Sequence, residues 1–243
     1  MGAYRNIDTA QAEPADRAMI ANAIAWWADA GVDVLVEDAP RDWLVAPAPA
    51  PVVEAAPAAD SLPATLEAFL GWRTGASAPE AAWSGVSLAA TGPADAKVMV
   101  LIDCPDRDDG NAGALLAGEP GKLFDRMLAA IGLSRDTVHI AAVCARRPAA
   151  GRMPRDIEAK LGEIARHHIE LVAPERLLLL GDATSRAVLA MERIDARGSL
   201  QAFNHKSGHT KVVASAHPRM LIERPAMKAE SWRDLQLLMG ADQ

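Results

Sequence analysis

The chain has 243 residues and 25.7 kDa, is half apolar with a mean hydropathy near zero, and is poor in aromatic residues at 4%, so it predicts one mainly aliphatic core with an appendage. No apolar run reaches the ~18 residues of a membrane span, acids stand where a secretory leader needs a basic start, and two cysteines, Cys104 and Cys144, are too few for a disulfide framework; the expectation is a cytoplasmic protein with no membrane partner. The net charge of −7 argues against a nucleic-acid ligand only until it is located, because residues 1–66 hold ten acids against three arginines and leave the remainder formally neutral.

Residues 1–45 read as an acidic arm. Within it Ala15 to Ala30 carries Met19, Ile20, Ala23, Ile24, Trp26 and Trp27 at three- and four-residue steps, which predicts a helix ending near Gly31. Val32 to Val36 suits a short strand. A polar arm has no core for the indoles of Trp26, Trp27 and Trp43, so they either pack on the main domain or bind a protein partner. Residues 46–63 are nearly all Ala and Pro, the composition of an extended linker.

From residue 64 to 243 strand and helix patterns alternate. Leu62 to Trp72 predicts a helix with Pro63 in its first turn. Strands are predicted at Lys97–Ile102, Val138–Val143, Arg176–Leu180 and Lys211–Ser215, and helices at Lys122–Ile131, Asp156–Val172, Ala183–Ala190 (with Asp182 as N-cap) and Glu230–Met239. Such alternation defines an α/β fold: three α/β/α layers around a mostly parallel four-stranded sheet. Chemistry in such a sheet lies just beyond the carboxyl ends of the strands. That rule nominates Asp103, after the first strand, and His217, after the fourth. A Gly-x-Gly-x-x-Gly turn, the mark of a nucleotide-binding doubly wound domain, does not follow the first strand. His205, His209 and His217 do not form a metal set, because His205 and His209 fall in a Gly- and Lys-containing loop with no shared helical face. His167 and His168 diverge on their helix and read as surface or partly buried residues.

The strand-end segments carry a more specific pattern. They run Ile102-Asp103-Cys104-Pro105-Asp106, then Gly113 to Leu128 as a glycine-rich loop opening a helix, Val138-His139-Ile140 followed by Arg147-Pro148 and Gly151-Arg152-Met153-Pro154, then Leu180-Gly181-Asp182-Ala183. The last is Ser215-Ala216-His217-Pro218-Arg219-Met220-Leu221, trailed by Arg224-Pro225, Lys228, Trp232 and Asp234-Leu235. In order and content these resemble the uracil-DNA glycosylase superfamily over roughly residues 97–240, most of all its iron-sulfur branch, family 4. The resemblance implies a monomeric base-excision enzyme acting on DNA, with Asp103 orienting water and stabilising the sugar cation and His217 donating to the departing base. It implies a base pocket of Cys104, Pro105, Leu116 and Ala142, and a DNA-facing rim of Arg146, Arg147, Arg152, Pro218, Arg219, Arg224 and Lys228. Arg224 and its turn would fill the gap left by a flipped base.

The pattern also departs from that family. The iron-sulfur members need four cysteines; here Arg146 stands where one ligand precedes the Arg-Pro, so no cofactor is expected and the two cysteines read as inert core thiols. Leu116 replaces the aromatic that stacks on the base, Ala142 replaces the asparagine that reads the uracil edge, and the acid is an aspartate instead of a glutamate. Loss of base-reading groups lowers discrimination, which leaves a second reading: a glycosylase-fold module that binds DNA or a partner without catalysis.

Overall fold

The computed structural model describes residues 14–31 and 62–240. The expected strand at Val32–Val36, Trp43 and nearly all of the Ala/Pro linker lie outside the described residues. The chain divides into two units, Met1–Pro57 and Ala58–Gln243. In the first, α1 (Pro14–Asp29) starts on a proline, which suits a first turn that has no use for its N–H, and gives way to Gly31 at φ +78°. Met19, Ile20, Ile24, Trp26 and Trp27 on this helix are all exposed.

The second unit is built on one sheet of order β2-β1-β3-β5-β4. Its strands are β1 (Val98–Ile102), β2 (Val138–Ala142), β3 (Arg176–Leu180), β4 (Gln201–His205) and β5 (Gly208–Ser215). The pairs β2–β1, β1–β3 and β3–β5 are parallel, and β4 runs antiparallel to β5. Successive side chains on a strand face opposite ways, so the unbroken apolar runs of β1 and β3 feed two cores at once. Met99, Leu101, Leu177 and Leu179 face one core, under α2 (Leu66–Thr74) and α5 (Arg155–Val172), with Phe69, Leu161, Ile164 and Ile169. Val98, Val100, Ile102, Leu178 and Leu180 face the other, under α4 (Gly118–Ala130) and α9 (Lys228–Met239), with Phe124, Leu128, Leu235 and Leu238. Between these helices the chain adds α3 (Asp109–Ala112), α6 (Asp182–Leu189), α7 (Arg193–Ala196) and α8 (Pro218–Glu223). This is the expected three-layer α/β/α fold.

Several details differ from expectation. The sheet has five strands, not four. The extra strand, β4, reads Gln-Ala-Phe-Asn-His, is at most half-buried, and has no apolar run for a hydropathy pattern to register. A turn at Lys206-Ser207 folds it back onto β5, so His205 and His209 lie on paired strands and not in a loop. No cluster of metal-ligating residues occurs among the described residues. Thr65, not Pro63, caps α2, accepting from the Ala68 amide at 3.4 Å, while the Pro63 carbonyl bonds His167 Nε2 at 2.8 Å. Gly181 at φ +107° takes the cap position of α6, a conformation that costs a glycine little. Asp182 is the first helical residue and pairs with Arg193 at 3.1 Å. The remaining helix ends shift by a few residues, the largest being α4, which begins at Gly118.

His168, expected at the surface or partly buried, is almost fully buried. Its Nε2 lies 3.0 Å from Nε2 of His139, whose Nδ1 bonds the Pro93 carbonyl at 3.1 Å. A carbonyl can only accept, so His139 carries its proton on Nδ1 and His168 donates from Nε2. Burial, then the neighbouring charges of His139 and Arg73, push His168 down to about 3, and burial likewise lowers His139. The folded state excludes protons that the unfolded chain accepts near 6.5. Stability should therefore be intact above pH 6.5 and fall as pH drops toward 3, each pH unit in that window costing ~1.4 kcal/mol for every histidine the fold keeps neutral. Thermal melts between pH 7.5 and 4.5 should show this decline, and His168→Gln, whose amide can still donate to His139, should flatten it.

Candidate active site

The parallel register sets Ile102 beside both Ala142 and Leu180, and Leu180 beside Ser215. Asp103 and His217 therefore leave the same edge of the sheet, Asp103 one residue and His217 two residues past that row, with β3 between their strands. Ser215 donates to Asp234 of α9 at 2.8 Å, which fixes the end of β5 from below. His217 then caps α8: its Nδ1 accepts the Arg219 amide at 3.2 Å. An accepting Nδ1 in a neutral ring leaves the proton on Nε2. That atom is buried and has no hydrogen-bond partner among the described residues. Burial dominates the ionisation and lowers His217 to about 4, against an upward pull from Asp103, a downward one from Arg219 and a smaller upward one from Asp109. The ring is neutral at physiological pH.

Asp103 is largely buried, its Oδ1 without a hydrogen-bond partner among the described residues and its Oδ2 4.0 Å from Arg219 Nη2. The following loop is shaped by Asp109, whose carboxylate accepts three backbone amides: Asp106 at 2.8 Å, Leu116 at 3.1 Å and Ala117 at 2.7 Å. Arg135 holds the same loop from its other side, donating to the carbonyls of Leu115 at 2.9 Å and Leu116 at 2.5 Å. Between them Leu116 is kept at φ +55°, a conformation a branched side chain rarely adopts. A Cβ on Gly121 would lie 1.8 Å from the Leu116 carbonyl, so the loop can close on α4 only over a glycine. Sequence reasoning passed over Asp109 and Arg135. A buried carboxylate that serves amides in its own loop looks, in a sequence, like any acid of a polar turn.

The structure brings some of the expected residues together and separates others. Cys104 and Pro105 are buried directly after Asp103, Ala142 is half-buried at the end of β2, and the Leu116 side chain is fully buried in the core with Phe124 and Leu128. Arg147 donates to the Pro105 carbonyl at 2.7 Å. Arg219 forms an ion pair with Asp106, which lies 3.8 Å from Arg147. Burial pulls the Arg219 guanidinium down, but Asp106 and Asp103 outweigh it and hold it above the ordinary arginine value. Arg146 turns inward to the carbonyls of Trp83 at 3.2 Å and Gly85 at 3.4 Å. Pro218 is buried, whereas Arg152 and Arg224 are exposed. Lys228 borders a separate apolar groove with Leu123, Met127, Leu221 and Trp232.

The cysteines do not fit a four-thiolate cluster. Both are buried and free, burial pushes both thiols well up, and Cys104 Sγ contacts the Gly151 carbonyl at 3.7 Å. Two side chains cannot supply four ligands.

An acid and a neutral histidine thus stand at the carboxyl edge of one parallel sheet, the acid followed by an amide-anchored loop. The sequence model of the uracil DNA glycosylase superfamily matches residues 89–236, and the chain belongs to that superfamily. Among characterised relatives it is similar to the type-4 uracil-DNA glycosylase of Archaeoglobus fulgidus, with 27% identity over 148 residues, covering 58% of this chain and 74% of that protein. It is similar also to the type-4 uracil-DNA glycosylase of Pyrobaculum aerophilum, with 25% identity over 151 residues, 59% of this chain and 76% of the relative. No described helix is long and apolar enough to cross a membrane.

Proposed function

We propose that this protein hydrolyses the N-glycosidic bond of uracil or another deaminated base in DNA, using Asp103 and His217. The observation that carries this reading is the pair of orphaned polar atoms, Asp103 Oδ1 and His217 Nε2, both buried at the same sheet edge. Buried polar groups are almost always satisfied, so two unsatisfied ones at a single sheet edge call for a functional explanation. Breaking the bond between C1′ and the base nitrogen leaves its electron pair on the base and cationic character on the sugar. An acceptor-only carboxylate at Asp103 stabilises that cation and orients the water whose oxygen bonds to C1′. The neutral His217 donates from Nε2 to the base carbonyl, where negative charge gathers, and the proton released by water ends on the base or in solvent. The base must be flipped from the helix to reach either group, and Arg152 and Arg224 are exposed cations that would hold the backbone. The chemistry requires no cluster.

The deciding experiment is base release from single- and double-stranded oligonucleotides carrying uracil, hypoxanthine or xanthine, comparing the protein with Asp103→Asn. Release that is lost in the variant supports the proposal and names the substrate; a variant as active as the parent overturns it. One feature favours a second reading, a DNA-binding module without catalysis: Leu116 and Ala142 present no stacking face and no amide to a base. Under that reading no oligonucleotide loses its base, while DNA still binds. Residues 1–45 would then act as a partner-binding arm, through the exposed Trp26 and Trp27 of α1.

A further inference from the structure

We propose that Arg219 and Arg147 form a phosphate subsite at the mouth of the site, and that its resident occupant in the DNA-free protein is the carboxylate of Asp106. The inference rests on the reading of the site as DNA-facing and concerns how DNA enters it.

Asp106 is a poor candidate for a structural acid. Its amide is already engaged by Asp109, its Oδ1 lies between the two guanidinium groups, and its Oδ2 is buried with no hydrogen-bond partner among the described residues. Both arginines are about one-third exposed, at 32% for Arg219 and 30% for Arg147, whereas Asp106 beneath them is 11% exposed. The cations thus reach solvent far more than the anion does. Two guanidinium groups converging on one oxygen anion is the arrangement that also binds a phosphodiester, whose oxygens offer the same acceptor geometry.

Arg219 occupies a position no rim arginine would need. Its backbone amide orients the His217 ring, and its side chain lies within 4.0 Å of the Asp103 carboxylate. A guanidinium there neutralises the charge that Asp103 must present to a sugar cation. If a DNA phosphate replaces Asp106 as the partner of Arg219, the cation is drawn toward the backbone and Asp103 is released for chemistry. The exchange breaks no covalent bond and changes no net charge within the protein. Asp106 is then an internal competitor of DNA for the two guanidinium groups it now holds.

Binding to undamaged duplex DNA tests this without reference to base release. Asp106→Asn removes the competitor and should tighten binding about 3–10-fold at fixed salt, with the slope of log affinity against log salt unchanged. Arg219→Gln should lower the magnitude of that slope by about one, and should do so equally in the Asp106→Asn background, where the tightening disappears. Arg219→Lys should keep the slope. If Asp106→Asn lowers the melting temperature, Asp106→Ser serves as the second variant. Unchanged or weakened binding by folded Asp106 variants overturns the proposal, as does a slope that Arg219→Gln leaves intact, or a parent protein that does not bind DNA. Absence of base release with these shifts present would instead sink the glycosylase reading and leave the subsite standing.

Discussion

Replacing His217 by alanine should lower base release about 10²–10³-fold, the usual cost of removing one preorganised donor to a developing anion, while DNA affinity stays within a few-fold of the parent. His217→Gln, which restores a donor of different reach, should recover part of the rate; an alanine variant as fast as the parent would remove His217 from the chemistry. The same geometry predicts a pH dependence. His217 is depressed to about 4 by burial, so the neutral, donating ring is fully present well above that value and is lost only as pH falls through it. Protonation would also cost the ring its acceptor for the Arg219 amide. Base release measured from pH 9 down to 5 should therefore show no limb near 6.5, and an inflection there that vanishes in His217→Gln would contradict a buried neutral histidine.

The largest effect on stability is expected at the Arg73–Glu80 ion pair. Both side chains are almost fully buried, at 7% and 1% exposure, and they do more than pair. Arg73 donates to the Val143 carbonyl at 2.5 Å, and Glu80 accepts the Ala145 amide at 2.8 Å. Together they tie α2 and the segment after it to the backbone that leaves β2, which Arg146 reinforces through Trp83 and Gly85. Removing one partner strands a charge in a low-dielectric interior. Arg73→Met or Glu80→Gln alone should cost ~3–5 kcal/mol, on the order of 10 °C in Tm. Replacing both with apolar residues of similar volume should recover most of that loss, because the desolvation penalty goes with the pair. Melting of the two single variants and the double variant checks this. A double variant as unstable as the sum of the singles would mean that the bonds to Val143 and Ala145, not the charges, carry the stability.

The fold was legible where the chain buries both faces of a strand. The runs at Val98–Ile102 and Arg176–Leu180 have no other use than the middle of a parallel sheet, and they placed the sheet edge where Asp103 and His217 emerge. Edge strand β4 was not legible, since a half-exposed strand needs no apolar run. Gly181 in the cap position was hidden behind Asp182, a better cap by composition, because only backbone geometry shows which residue carries φ +107°. At the site, residue identity suggested a ring of arginines facing outward. Long cationic side chains can lie in either direction, however, and Arg146, Arg147 and Arg219 satisfy carbonyls and carboxylates inside the molecule. What fixed their direction was the set of acceptors supplied by Trp83, Gly85, Pro105 and Asp106, far from them in sequence. The buried His139–His168 contact was illegible for the same reason, as each histidine finds its partner across the sheet layer.

One carboxylate, Asp109, dictates the course of the loop after β1 through three amides, and amides are common to every residue except proline. The path of that loop is therefore largely independent of the side chains along it. Gly110, Asn111 and Ala112, which are exposed, should accept other side chains while the lip of the site keeps its outline. That outline depends instead on Asp109, its outer clamp Arg135, and the glycine at 121. Such a division lets the mouth of the site take on new contacts without rebuilding what stands behind it.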